Sequence, residues 1–119
     1  MKSALIEVLD ALGYEYFLHG TYDEDKPYPD RFITFQTLDS PETAAFDNET
    51  ALTAWTYQII FYSNDPEEID AAAELIRKAF KNAGFDIPNK GRDIISDEPS
   101  HTGWIIPEII YTEKEGVLL

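Results

Sequence analysis

Three consecutive acids, Asp23, Glu24 and Asp25, open the segment DEDKPYPD (23–30) and offer hard oxygen ligands of the kind that hold calcium. A calcium loop alternates its acids and carries a glycine at its sixth position and a glutamate at its twelfth. This segment has none of that spacing, so it reads as a solvated acidic loop. Two imidazoles and a carboxylate make a zinc site. His19 and His101 stand far apart, outside any HxxxH or HxH spacing, and with 27% of the chain charged a nearby carboxylate carries no weight. Neither a metal nor a cofactor is expected.

Nucleophilic catalysis needs a serine or cysteine presented at a tight turn beside a base. There is no cysteine, which also removes disulfides and thiolate metal sites. Ser3, Ser40, Ser63, Ser96 and Ser100 all stand in capping or turn contexts, and none is flanked by glycines. Carboxylate pairs for glycoside hydrolysis are available in any acidic chain, and no pair stands out here. Glycine-rich phosphate loops and basic stripes interleaved with aromatics are absent. The sequence therefore points away from an enzyme.

The formal net charge is −14, from 23 acidic against 9 basic side chains. Such a field disfavours nucleic-acid phosphates and anionic membranes, while leaving basic partners and divalent cations open. Hydrophobic residues at 44% and aromatics at 13% are ample for a packed core, and 119 residues is the size of a single domain spanning 1–119. MKSALIEVLDALGYEY is interrupted by Glu7 and Asp10, unlike a signal peptide, and no window approaches a membrane span. A cytoplasmic protein is the simplest reading.

The elements that must position any site follow from periodicity. Leu5, Val8, Leu9 and Leu12 share one helical face over roughly 3–12, with Ser3 as cap and Gly13 as stop. Tyr14 to Leu18 reads as a short strand, and RFITFQT (31–37) as another. The longest strand, roughly 52–62, places Trp55, Tyr57, Ile59 and Phe61 on one face. Behind it, Asp65 caps a helix, Pro66 occupies its first position and Glu68 is placed to complete a capping box. Ile69, Ala72, Ala73, Ile76, Ala79, Phe80 and Ala83 form its buried stripe, Arg77, Lys78 and Lys81 complement its dipole, and Gly84 ends it. A short extended piece is expected around Asp93–Ser96. In the last strand, WIIPEIIYT (104–112), Pro107 implies an edge position or a bulge, and 113–119 reads as a loose tail. The expected fold is α+β: a mainly antiparallel sheet of about four strands with two helices packed on one face.

Between these elements lie acidic, proline-bearing excursions at 20–30 and 38–50 and an irregular region at 85–103. Long loops in a small domain commonly carry function. Tyr22, Tyr28 and Phe46 lie inside them as candidate interface anchors. The alternative is that these rings fold back on the sheet.

In length and order of elements the chain resembles the small tail completion and tail terminator proteins of long-tailed bacteriophages and prophages. The resemblance rests on a first helix ending near GYEYF, the strand RFITFQ, the acidic loop AAFDNET, the run TAWTYQIIFYSNDPEEIDAAAELIRKAF and the closing HTGWIIPEIIYT, and covers nearly the whole chain. It implies a structural virion protein without enzymatic activity, assembled as a ring, commonly hexameric, that ends the tail tube and meets the head connector. It implies the bacterial cytoplasm during assembly and the virion tail thereafter, with no specific nucleic-acid binding. It places subunit contacts at Pro29–Phe32, at Ala44–Thr50 and around Trp104, so Pro29, Arg31, Asp47 and Trp104 join the candidate interface. Two other readings stand beside it. An acidic inhibitor or immunity protein would present carboxylates to a basic nuclease or DNA-binding protein, and a small hydrolase would need carboxylates and a histidine to converge in a pocket.

Overall fold

The structure, a computed structural model, describes residues 2–19, 29–39, 42–43, 51–95 and 101–115. Helix α1 spans Lys2–Leu12, followed by strands β1 (Glu15–Leu18), β2 (Arg31–Asp39), β3 (Glu42–Thr43) and β4 (Ala51–Ser63). A single 3-10 turn, Pro66–Glu68, leads into α2 (Ile69–Asn82), and β5 (Arg92–Ile95) and β6 (Thr102–Glu115) complete the fold. Ser3 lies inside α1 rather than capping it. Gly13 ends the helix at φ +82°, a backbone conformation that favours glycine.

The strands form one sheet in the order β1-β2-β4-β6-β5, with β3 also paired to β4. All pairings are antiparallel except β1 with β2. The α+β class holds, but the sheet is wider than the four strands expected and is mixed. β5 is the short extended piece expected around Asp93–Ser96, one residue earlier, while β3, at two residues, is too short for a period-two pattern to announce it. The parallel pair escapes local reading because residues 19–30 separate its strands, far more than a hairpin turn requires.

Alternation gives the sheet two distinct faces. Ile33, Phe35, Tyr57, Ile59, Phe61, Ile106 and Ile109 form one core cluster with Leu5, Val8 and Leu9 of α1 and Ile69, Ala72, Ile76 and Phe80 of α2. Both helices therefore pack on that face. Phe32, Ile60 and Ile105, one residue out of phase, are buried on the other.

β6 runs between β4 and β5, but β5 pairs only with its first residues, up to Ile105, so among the described strands Pro107 is paired on the β4 side alone. It sits in a bulge. Tyr57 pairs with Ile109 and Ile59 with Ile106, which leaves Pro107 and Glu108 opposite Gln58 alone. The bulge removes the requirement for a ladder bond at a residue without an N–H. It also keeps the helix-facing set in phase. Strict alternation from Ile106 would turn Glu108 inward, whereas the extra residue delivers Ile109, fully buried, and then Tyr111.

The start of α2 is built partly as expected. The Asp65 carboxylate accepts the Glu67 N–H at 3.0 Å, and Pro66 occupies the first position. Glu68 makes no cap; its side chain turns away to the strands. At the other end the Phe85 N–H reaches the Phe80 carbonyl and the Gly84 N–H the Lys81 carbonyl, each at 3.0 Å, with Gly84 at φ +94°. That is a Schellman closure, and its hydrophobic contact is the edge-to-face pair Phe80–Phe85, 5.0 Å between centroids. Ala83 falls beyond the last turn and is exposed rather than part of the buried stripe.

Candidate assembly interface

The corner where β2 begins and β4 ends holds two of the residues expected at an interface. Arg31 pairs across the sheet with Ser63, and Ser63 with Thr102. The Arg31 Nε donates to the Glu68 carboxylate at 2.8 Å, and the Ser63 hydroxyl donates to the same oxygen. The Ser63 oxygen in turn accepts the Asp65 N–H at 3.0 Å. Arg31 first and Ser63 second hold the Glu68 carboxyl below its ordinary range, and Glu68 holds the Arg31 guanidinium above its own. One carboxylate thus joins two strands to the start of α2.

Pro29 is tied to the same corner from the other side. Its carbonyl accepts from His101 Nε2 at 2.8 Å, and the imidazole lies edge-on to Phe32 at 5.8 Å. His101 is only 8% exposed. Asn64 completes the corner, its N–H on the Asp30 carbonyl at 2.9 Å and its amide on the Asp30 carboxylate at 3.1 Å. A shallow cavity of about 270 Å³ opens between this segment and Gly13–Glu15.

The chemistry available here is limited. Ser63 is fully buried, so its hydroxyl has no access to a substrate. A carboxylate held acidic by a guanidinium is a weak base at neutral pH. The cluster pins 29–31 to the sheet and leaves Arg31 half-exposed at the surface. Among the described residues no group of three or more histidines, aspartates or glutamates is placed to hold a metal ion.

Trp104 lies on the helix face, half-buried, and its indole N–H donates to the Lys90 carbonyl at 3.0 Å. Gly91, at φ +105°, is its seat. A Cβ there would stand 2.4 Å from both Trp104 Nε1 and the Ile105 carbonyl, and the Gly91 N–H is held by the Asn89 side chain at 2.7 Å. The indole is a peg that fastens 89–91 to β6. Pro29, Arg31 and Trp104 are thus each built into the framework. Tyr22, Tyr28, Phe46 and Asp47 lie outside the described residues.

A feature not anticipated from the sequence is the distribution of positive charge. Arg77, Lys78, Lys81 and Lys90 are four of the nine cations in a chain of 23 acids. The first three lie on α2, and Lys90 is near enough to Glu74 to help lower its carboxyl, behind Arg77 and Lys78. Their signal was visible in the sequence, but the three helical cations were accounted for by the dipole alone. Trp104 holds the Lys90 backbone to β6, and Lys90 acts on the same Glu74 carboxyl as the helical cations.

A groove of about 600 Å³ runs along this region, bordered by Lys81, Phe85, Asp86, Ile87, Pro88 and Ile110. Asp86 and Ile110 exchange both backbone hydrogen bonds at 2.8 Å, fixing its floor to β6. Among the described residues no helix is long and apolar enough to cross a membrane. Comparison with known protein families and with characterised proteins finds no match to this chain.

Proposed function

We propose that this protein is a structural component of a bacteriophage or prophage virion that ends the tail tube and joins it to the head connector, acting by ring assembly rather than catalysis. The observation that carries the reading is the cationic island on α2 of a strongly acidic subunit. A head-to-tail ring needs two different and complementary surfaces on each copy, and a stretch of α2 richer in cations than the acidic body around it, with Glu74 ion-paired to Arg77 inside it, gives each copy two contrasting surfaces. The family that the chain resembles is built as an α+β sheet with two helices on one face, and this fold is compatible with that.

The acidic excess has a place in this reading. A lumen lined by one of the excursions 20–30 or 38–50 repels phosphates and lets DNA pass without adhering. Both excursions lie mostly outside the described residues. The bacterial cytoplasm during assembly and the virion tail afterwards are the corresponding locations.

Light scattering across protein concentration, with electron microscopy of the same fractions, tests the proposal. Closed rings of about six copies are expected. The rival, an acidic inhibitor of a basic nuclease, predicts instead a compact complex with a basic protein that weakens steeply with salt. A monomer that binds such a partner and forms no ring on tail tubes overturns the ring reading.

A further inference from the structure

The groove beside β6 is a second feature that the ring reading does not use. It is mostly apolar, with Phe85, Ile87, Pro88 and Ile110 along it, and Lys81 stands at its rim within the cationic island. Beyond the Asp86–Ile110 bridge, no described residue pairs with this side of β6. The groove is open to the surface, and an extended segment crossing it can lay apolar side chains against Phe85, Ile87 and Pro88.

The chain contains a segment with the matching chemistry. Directly after β6 the sequence reads Gly116-Val117-Leu118-Leu119, preceded by Glu113 and Glu115. Three consecutive apolar residues suit the groove, and Glu113 and Glu115, with Lys114 between them, meet a border that carries both Lys81 and Asp86. The segment cannot fill the groove of its own subunit. Ile110 lies about 17 Å back along the strand from Glu115, at ~3.4 Å per residue. Leu119 reaches back only ~14 Å from Glu115 at full extension, before any turn is made. A second copy can deliver it without that limit.

We infer that the groove formed by Phe85, Ile87, Pro88 and Ile110 receives Val117-Leu118-Leu119 of a second copy of this chain, with Lys81 facing that copy's Glu113 and Glu115. The inference rests on the ring reading and specifies one of its contacts. Because donor segment and acceptor groove are different surfaces, the contact is head-to-tail, and repetition propagates it from copy to copy until the chain of subunits closes. Each subunit gives one arm and takes one.

The test uses the full-length chain and two double variants. Leu118→Asp with Leu119→Asp removes the arm, and Lys81→Glu with Pro88→Asp spoils the groove at two exposed positions, so that folding is retained. Masses are read by light scattering over a concentration series, with far-ultraviolet circular dichroism confirming the fold. The parent is expected to assemble, each variant alone to stay monomeric, and an equimolar mixture to stop at a dimer, since only one intact arm and one intact groove can meet. A monomeric parent, a variant that assembles like the parent, or a mixture that stays monomeric overturns the exchange. Micrographs separate the two ideas: rings formed by either variant reject the arm exchange and keep the ring reading, whereas complementation with no closed parent rings does the reverse.

Discussion

The two faces of the sheet are buried by different means. On one, α1 and α2 close over the strands, and Leu5, Leu9, Tyr57 and Phe80 lose all exposure. On the other, no described helix packs, yet Phe32 is only 4% exposed. Among the described residues, the contacts on Phe32 there are with other rings. Tyr62 stacks on Phe32 at 4.9 Å and lies across Gly103, where an added Cβ would stand 3.1 Å from the ring, while Phe17 and His101 meet Phe32 edge-on. Glycine on a central strand leaves a gap, and a neighbouring aromatic fills it. Burial by a separate element depends on how the helices dock; burial of Phe32 depends on ring contacts made by its neighbours Tyr62, Phe17 and His101.

That contrast predicts a ranking of stabilities. Phe80→Ala empties a site closed by α2, β6 and Phe85, and is expected to cost about 3–5 kcal/mol by urea unfolding. Gly91→Ala forces a side chain against a backbone carbonyl and an indole at positive φ, at a cost of about 2–3 kcal/mol, with a shift in Trp104 fluorescence as the peg is displaced. Tyr62→Ala on the open face removes a stack and the cover of Gly103, for about 1–2 kcal/mol. Should Tyr62→Ala prove as costly as Phe80→Ala, the open face is a second core and the comparison fails.

Glu68 sharpens the same contrast at the sheet's corner, where cohesion is polar. Its carboxyl is held below the ordinary value of 4.5, chiefly by Arg31 and then by Ser63. Its contribution is therefore present above that ordinary value and is lost as pH falls through the lower folded value. Glu68→Gln should reduce the difference between urea midpoints at pH 7 and pH 3, and at pH 7 should cost less than Tyr62→Ala because Arg31 is half-exposed and screened. An unchanged difference means that the corner adds nothing to acid sensitivity. The smallest effect is expected at Trp55, whose buried indole N–H has no hydrogen-bond partner among the described residues. Trp55→Phe removes that donor and should leave stability within ~1 kcal/mol of the parent, despite the loss of ring area.

Local signals were sufficient for some of these features and insufficient for others. The α2 cap at Asp65-Pro66 and the stop at Gly84 involve neighbours in sequence, and β4 is long enough for its alternation to be plain. Glu68 misled because its position fits a capping box, while its partner Arg31 lies 37 residues away. Pro107 left edge and bulge open, since only the register of β6 against β4 shows the bulge. The peg role of Trp104 required knowing that Gly91 would sit beneath it. Sequence reading is strongest where a residue acts on its own turn and weakest where a side chain chooses among distant strands.

The bulge at Pro107 and Glu108 bears on how the chain finds this arrangement. β4 and β6 must locate one another across the whole of α2, a search with many nearly equivalent alignments, each strand being rich in isoleucine and aromatic residues. A displacement by one position anywhere along the pair would bring a carboxylate under the helices or ask a proline for a bond it cannot make. The irregularity therefore acts as a proofreading mark for assembly of the sheet, rejecting trial alignments that isoleucines alone would tolerate.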